Sequence, residues 1–449
     1  MQINTTFFKL NKIPILLTLA SLLFYFSFAY NLTRSDYVKL ITLFIALCYL
    51  AFKLIQIIGY NFKFLLVVSI LSRLIFIVAI PNLSQDFYRF IWDGYLNLNN
   101  LNPYLFTPTQ LVDQTINIPN KHLLYNKMGW LSNANYSNYP PVNQLCFIIA
   151  NLCPGQSILS SVIGLRLLII LADLGIILIG SKLLLAFNLP KSNIFWYALN
   201  PFIIIELTGN LHFEGVMLFF FILGIYLIYK NKISLAGVCI GLSISIKLIP
   251  LIFLPVLLKW FLKHYNIKKT IQFYSIIALT VLITCLPYIT TQFIDNYSQT
   301  IALWFNNFEF NASIYYIARH IGYKLTGYNQ IAIIGKFLSI TILLIILILS
   351  FVRKTETLKQ VFTTCLLAFT TYLFLSTTVH PWYLSTLVLF SIFSNYKYPL
   401  VWSVTIILSY LAYINTNNTE NLWIVFIEYL IVYLVFLYEL LQPKLSRNQ

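Results

Sequence analysis

Charge is what this sequence has least of. Lys, Arg, Asp and Glu make up 9% of its 449 residues, and its mean hydropathy is +0.80. A soluble domain carries about a quarter charged residues. That scarcity excludes a water-facing globular core and points to a polytopic membrane protein. Acids are scarcer still, 13 in all against 29 Lys and Arg. The resulting net charge of +16 does not argue for nucleic acid, because most of the basic residues fall in short loops between apolar runs. No glycine-rich phosphate loop is present, which argues against a cytoplasmic nucleotide-sugar site. The six cysteines lie mostly within apolar segments and lack paired metal-ligand spacing. Cys146 and Cys153 are seven residues apart, a spacing that within one helical segment rarely allows disulfide geometry. No small-residue cleavage site follows the first apolar run, so that run is read as an uncleaved span.

What is abundant is apolar sequence. A helix crossing the hydrocarbon core needs about 20 such residues. Long candidates are 13–30, 38–58, 62–81, 160–186, 211–229, 270–290, 330–352, 358–378 and 421–441. Shorter ones are 193–208, 233–247, 249–262, 382–395 and 398–414, which are expected to be tilted, broken or part-way across. The expectation is a single all-α polytopic unit over 1–449, with roughly 12–14 spans. Positive residues favour the cytoplasmic side. Lys9 with Lys12, Lys53 with Lys63, Lys182 with Lys191, Lys230 with Lys232, Lys263 with Lys268 and Lys269, Arg353 with Lys354, and Lys444 with Arg447 fit one orientation, with both termini inside. Two long segments, 82–159 and 291–329, then fall outside. Their charges balance: Asp86, Asp93 and Asp113 against Arg89, Lys121 and Lys127, then Asp295 and Glu309 against Arg319 and Lys324. The apolar stretch 141–153 fits this scheme only as a re-entrant or interfacial helix.

The first outer segment opens with "SQDFYRFIWDG", which spends two of the few acids seven residues apart. On a helix Asp86, Arg89 and Asp93 share a face, and Arg89 can reach either acid. The bland reading is helix stabilisation by ion pairs, worth a few tenths of a kcal/mol each. Against it, "NPY" (ending at Tyr104) and "YPPVNQ" (starting at Tyr139) bring turns and aromatic rings to the same outer surface. Further polar groups converge there. Glu206, His212 and Glu214 occupy the turn "ELTGNLHFEG", Lys247 the break "KLIP", and His380 the break "HPW". Charges at membrane depth are costly and usually face a cavity. Arg73 lies within the third span. Arg166 and Asp173 share a helical face, are too far apart along the axis to pair, and are assigned to packing.

These motifs, "SQDFYRFIWDG", "NPY", "YPPVNQ", "NPFIIIELTGNLHFEG" and "HPWYL", resemble those of the integral-membrane GT-C glycosyltransferases. The likeness is to the bacterial mannosyltransferase-like group related to the catalytic subunit of GPI mannosyltransferase I and to the mycobacterial polyprenol-dependent mannosyltransferases. The resemblance implies a GT-C fold with a long first extracytoplasmic loop carrying interfacial helices. It implies transfer of a hexose, taken as mannose, from a polyprenyl phosphate to a hydroxyl of a lipid or glycan, with inversion, on the outer face of a bacterial inner membrane. The family's loop carboxylate base maps onto Asp86. A leaving phosphate needs cations or hydrogen-bond donors, for which Lys247, His380, Arg89 and His212 are the candidates. Asp93, Tyr104, Tyr139 and Glu214 are expected to support the site or meet the acceptor. Metal independence is expected of a monophosphate leaving group, although a second acid beside Asp86 leaves a metal open. The expected partners are the polyprenyl-phosphate sugar donor, a lipid or glycan acceptor and membrane lipids, and no nucleic acid. The rival classes are a transporter or flippase of a lipid-linked sugar, and a non-catalytic scaffold. The sugar, acceptor and linkage are not written in the sequence.

Overall fold

The computed structural model describes residues 11–306, 308–414 and 419–442. Lys9, Lys444 and Arg447, invoked above for orientation, lie outside the described residues. Among the described residues, seven helices are long and apolar enough to cross a membrane: Lys12–Asn31, Tyr37–Ile58, Ile158–Ala186, Ile267–Tyr288, Ile331–Val352, Leu358–Leu375 and Leu422–Leu441. A bent pair, Pro201–Gly209 and Glu214–Tyr229, makes an eighth if counted as one span. Among the described residues there is no strand, only an isolated bridge between Phe310 and Thr378. The chain is thus an all-α polytopic membrane protein. Its regular spanning helices fall short of the expected 12–14, because the shorter apolar runs are broken by their own polar and proline residues.

Several helices start on side-chain caps that satisfy otherwise unpaired amides. Asp36 accepts from the Lys39 amide, and Asn61 from that of Phe64. Thr357 and Gln360 form a reciprocal capping box. The third apolar run does not stay helical to residue 81 as expected. The helix is Phe62–Leu74, and the chain then turns toward Pro81. Arg73 near its end is fully buried, and its guanidinium pairs with Asp173 at 2.9 Å. It also donates to the Ala198 carbonyl at 2.8 Å. Hydropathy alone carries no trace of that break.

Arg166 does not meet Asp173. Its guanidinium donates to the carbonyls of Thr208, Gly209 and Ile77 at 2.8–3.1 Å. The Thr208 and Gly209 oxygens belong to the end of the Pro201–Gly209 helix, where the chain swings by 111° into Glu214–Tyr229. The break carries Leu211 at φ 65° and delivers His212 and Glu214 to one side of the molecule.

Residues 82–151 fold as short helices. Asp86–Leu98 packs against Pro141–Asn151. The latter has 11 residues, about 16 Å, too short to cross. The two backbones touch at Gly94, where an added Cβ would come within 2.7 Å of the Phe147 carbonyl. Asn151 donates to the Ile91 carbonyl at 2.8 Å across the same contact. The segment 291–329 contains Thr291–Asn306 and Ile314–Thr326. Between them, Phe310 exchanges backbone bonds with Thr377 and Val379, laying its ring on His380. All six cysteines are free thiols.

Candidate active site

A cavity of about 270 Å³ lies where the Asp86–Leu98 helix, the Arg34 turn, the Lys247 break and the His380 break meet. Asp86, Arg89, Tyr139, Lys247 and His380, chosen from sequence, all line it. Asp86 is the first residue of its helix, so its carboxylate sits by the positive end of the backbone dipole. No hydrogen bond or ion pair to another described side chain engages that carboxylate. Burial pushes Asp86 up from the ordinary 3.8 to about 6. The charge of Lys247 opposes this, that of Glu214 adds to it, and that of Arg34 opposes it. An unengaged carboxylate with an elevated pKa is what a general base near neutral pH requires.

Arg89 chooses one acid of the two it could reach. It pairs with Asp93 at 2.7 Å and leaves Asp86 alone. Asp93 is fully buried, also accepts from Gln144 at 3.2 Å, and does not line the cavity. Arg89 further donates to the carbonyls of Asn135 at 2.9 Å and of Ser132. The pair therefore fixes the 131–139 wall opposite Asp86. Tyr104 is a similar support. It is buried among Tyr288, Phe293 and Tyr297, and its hydroxyl donates to the Tyr139 carbonyl at 2.5 Å.

Lys247 is 18% exposed at the cavity edge, and its ammonium stands 3.0 Å from the fully buried Glu214. It also lies 5.5 Å from the centre of the Tyr139 ring. Glu214 thus acts behind the cation instead of facing the cavity. His380 stacks on Trp382 at 4.4 Å and under Phe310 at 5.3 Å. Burial, with the charges of Lys247 and Arg34, pulls His380 down to about 3, so it works as a neutral ring. His212 does not reach the cavity. It lies behind Trp382, stacked at 3.8 Å, with Nε2 3.8 Å from Glu206. The fold thus does not bring it to the cavity with the other candidates, and its ring backs the Trp382 wall.

Arg34, Tyr410 and Tyr413 are among the lining residues that escaped sequence reasoning. Tyr410 donates to the buried Glu206 at 2.8 Å. Arg34 did leave a signal. It is an arginine in a short turn on the side that charge bias should leave without cations.

The polar cavity adjoins a second, apolar one of about 850 Å³, walled by Leu251, Ile252, Ile342, Leu343 and Ile346 among others. Asn138, Tyr139, Lys247 and Tyr383 belong to both. Among the described residues no group of three or more His, Cys, Asp or Glu is arranged to hold a metal ion.

Residues 33–263, just over half of the chain, match the model of the MptA_B family, described as alpha-(1->6)-mannopyranosyltransferase, N-terminal domain. The matched stretch contains Arg34, Asp86, Arg89, Tyr139, Glu214 and Lys247 and ends before His380. No curated protein matches the chain.

Proposed function

The chain belongs to the MptA_B family of alpha-(1->6)-mannopyranosyltransferases, and from that premise we propose that it moves mannose from a polyprenyl phosphate to an acceptor hydroxyl, with inversion, on the outer face of a bacterial inner membrane. The observation that carries the reading is the junction of the two cavities. A polar chamber with an unengaged carboxylate opens, at Lys247, into an apolar groove. A lipid-linked sugar phosphate has that division of character: an apolar chain, a phosphate at the boundary and a polar sugar beyond it.

In the proposed step Asp86 takes the proton of the acceptor hydroxyl as its oxygen attacks the anomeric carbon. The carbon–oxygen bond to phosphate breaks on the opposite face, and its electron pair leaves with the polyprenyl phosphate. Lys247 and the His380 ring hold the developing phosphate charge, as fixed donors do most effectively in a water-poor site. Glu214, 3.0 Å from its ammonium, keeps Lys247 aimed. Arg89 keeps the facing wall in place. The reading includes no resident metal, and the GT-C architecture is its structural frame. Glucose, galactose or an aminoarabinose-like sugar would suit the same chamber.

The test is transfer by the purified protein from polyprenyl-phosphate-mannose to membrane lipid extract, run in EDTA. Mannosylated product supports the reading. Movement of the donor across vesicles without product would instead make the chain a transporter or flippase.

The elevated pKa of Asp86 fixes a pH profile. A base must be deprotonated, so kcat/KM should fall on the acid side with a midpoint near 6 and level off above it. A profile flat from pH 5 to 8 would remove Asp86 from the rate-determining proton transfer. The outer placement of 82–159 has its own check. Ala134 is exposed on that segment. An Ala134→Cys variant, in a background without the native cysteines, should react with an impermeant maleimide in intact cells. Reaction only after lysis would put the cavity on the cytoplasmic side.

A further inference from the structure

The proposed reaction leaves one cation of the chamber without a task. The charge of Lys247 is offset by Glu214, and that of Arg89 by Asp93. Arg34 appears in none of the ion pairs among the described residues. Its guanidinium carbon lies 3.1 Å over the Tyr413 ring, and its Nε is buried with no hydrogen-bond partner. Asp86 and Glu206 feel its charge at longer range, but a partly desolvated cation with no carboxylate in contact is an expense that folding alone does not explain. A guanidinium held against an aromatic face is also pre-oriented, so its fork of donors is ready for a planar oxyanion.

Position says which substrate brings that oxyanion. A phosphate whose lipid chain fills the apolar groove sits at the junction, where Lys247, Tyr139, Asn138 and Tyr383 line both cavities. Arg34, Tyr410 and Tyr413 line the polar chamber and not the groove, as do Asp86 and His380. They form the part of the chamber beyond the junction, which also contains Asp86, the group that must meet the acceptor. We propose that Arg34, laid on Tyr413, binds an oxyanion carried by the acceptor, so that this enzyme takes an acceptor bearing a phosphate or carboxylate group beside its reacting hydroxyl. This rests on the transferase reading above and adds to it a second anion site, separate from that of the donor phosphate. The oxyanion could come on a lipid headgroup or on a glycan, and the chemistry at Arg34 is the same.

The experiment uses the full chain in neutral detergent, with tryptophan fluorescence as the readout, since Trp382 lines the chamber. The protein is first saturated with farnesyl phosphate, a donor-side probe without sugar, and then titrated with inorganic phosphate. Wild type should bind the second anion. Arg34→Gln should weaken that binding on the order of 10-fold while keeping its farnesyl phosphate affinity, which also shows that it is folded. Arg34→Lys, which keeps the charge and loses the fork, should fall between them. Unchanged phosphate affinity in Arg34→Gln overturns the proposal. So does displacement of phosphate from wild type by farnesyl phosphate, because that means a single anion site. Failure of wild type to bind farnesyl phosphate counts against the donor reading instead, and phosphate titrated alone into wild type and Arg34→Gln then decides the role of Arg34. A last arm compares glycerol 1-phosphate with dihexanoyl phosphatidylglycerol. Arg34-dependent binding of the tighter ligand supports the site and names the source, whereas Arg34-independent binding of both contradicts it.

Discussion

Asp86→Asn is expected to give a folded, membrane-inserted protein whose transfer rate is lower by about 100- to 10,000-fold, the usual cost of removing a general base. The structure gives reason to expect the loss in rate without a loss in fold. The carboxylate is engaged by no described side chain, so the amide breaks nothing. The linkage points the same way. The folded-state value of about 6 stands above the ordinary 3.8, so the folded protein holds that proton more tightly than the unfolded chain. Asp86 therefore costs stability as pH rises through that window, and removing its charge should leave stability at pH 7 equal or higher. Asp93→Asn should do the reverse. Asp93 is fully buried against Arg89, and breaking such a pair typically costs about 3–5 kcal/mol. Thermal unfolding and turnover measured on both variants check this. An Asp86→Asn protein with near-wild-type turnover, beside a stable but inactive Asp93→Asn protein, would swap the two roles.

Lys247→Ala is expected to cause the second large loss, and a double substitution separates its two causes. The single change removes the cation at the cavity junction and strands the fully buried Glu214 carboxylate. It should lower stability, by less than a wholly buried pair would because Lys247 is 18% exposed, and it should weaken binding of a prenyl phosphate. Lys247→Met with Glu214→Gln removes the stranded charge, so stability should return. Donor binding should not return, since the phosphate still lacks its cation. The check is unfolding together with farnesyl phosphate binding in all the variants. Recovery of both properties in the double variant would make the pair purely structural.

Much of the site was legible because each of its residues breaks a local rule. Asp86 is an acid in an acid-poor chain, while Lys247 and His380 interrupt apolar runs beside prolines. Such departures from pattern tend to mark functional positions. The family motifs brought Asp86 and the His212–Glu214 turn together before any coordinates did. What stayed hidden depends on tertiary packing. Arg89 could reach two acids by spacing, and its choice of Asp93 needs Gln144 and the 131–139 wall in place. His212 and His380 look alike in sequence, yet Trp382 lies between them, stacked on both, and leaves only His380 on the cavity. The third span reads as one apolar run interrupted only by Arg73, whose partner, Asp173, is 100 positions away and comes to it only in the fold. Arg34 belongs to a turn whose partner, Tyr413, is hundreds of residues downstream.

The central claim is that one chamber holds the base, the phosphate cation and the lipid-linked sugar in line. A structure of the protein with a non-transferable analogue of polyprenyl-phosphate-mannose tests it most directly. The account predicts the chain along Leu251, Ile252 and Ile346, the phosphate within hydrogen-bond reach of Lys247 and His380, and the Asp86 carboxylate on the face of the sugar away from the phosphate. A sugar bound elsewhere, or one lying with its phosphate toward Asp86 and its anomeric carbon turned from it, would contradict the account.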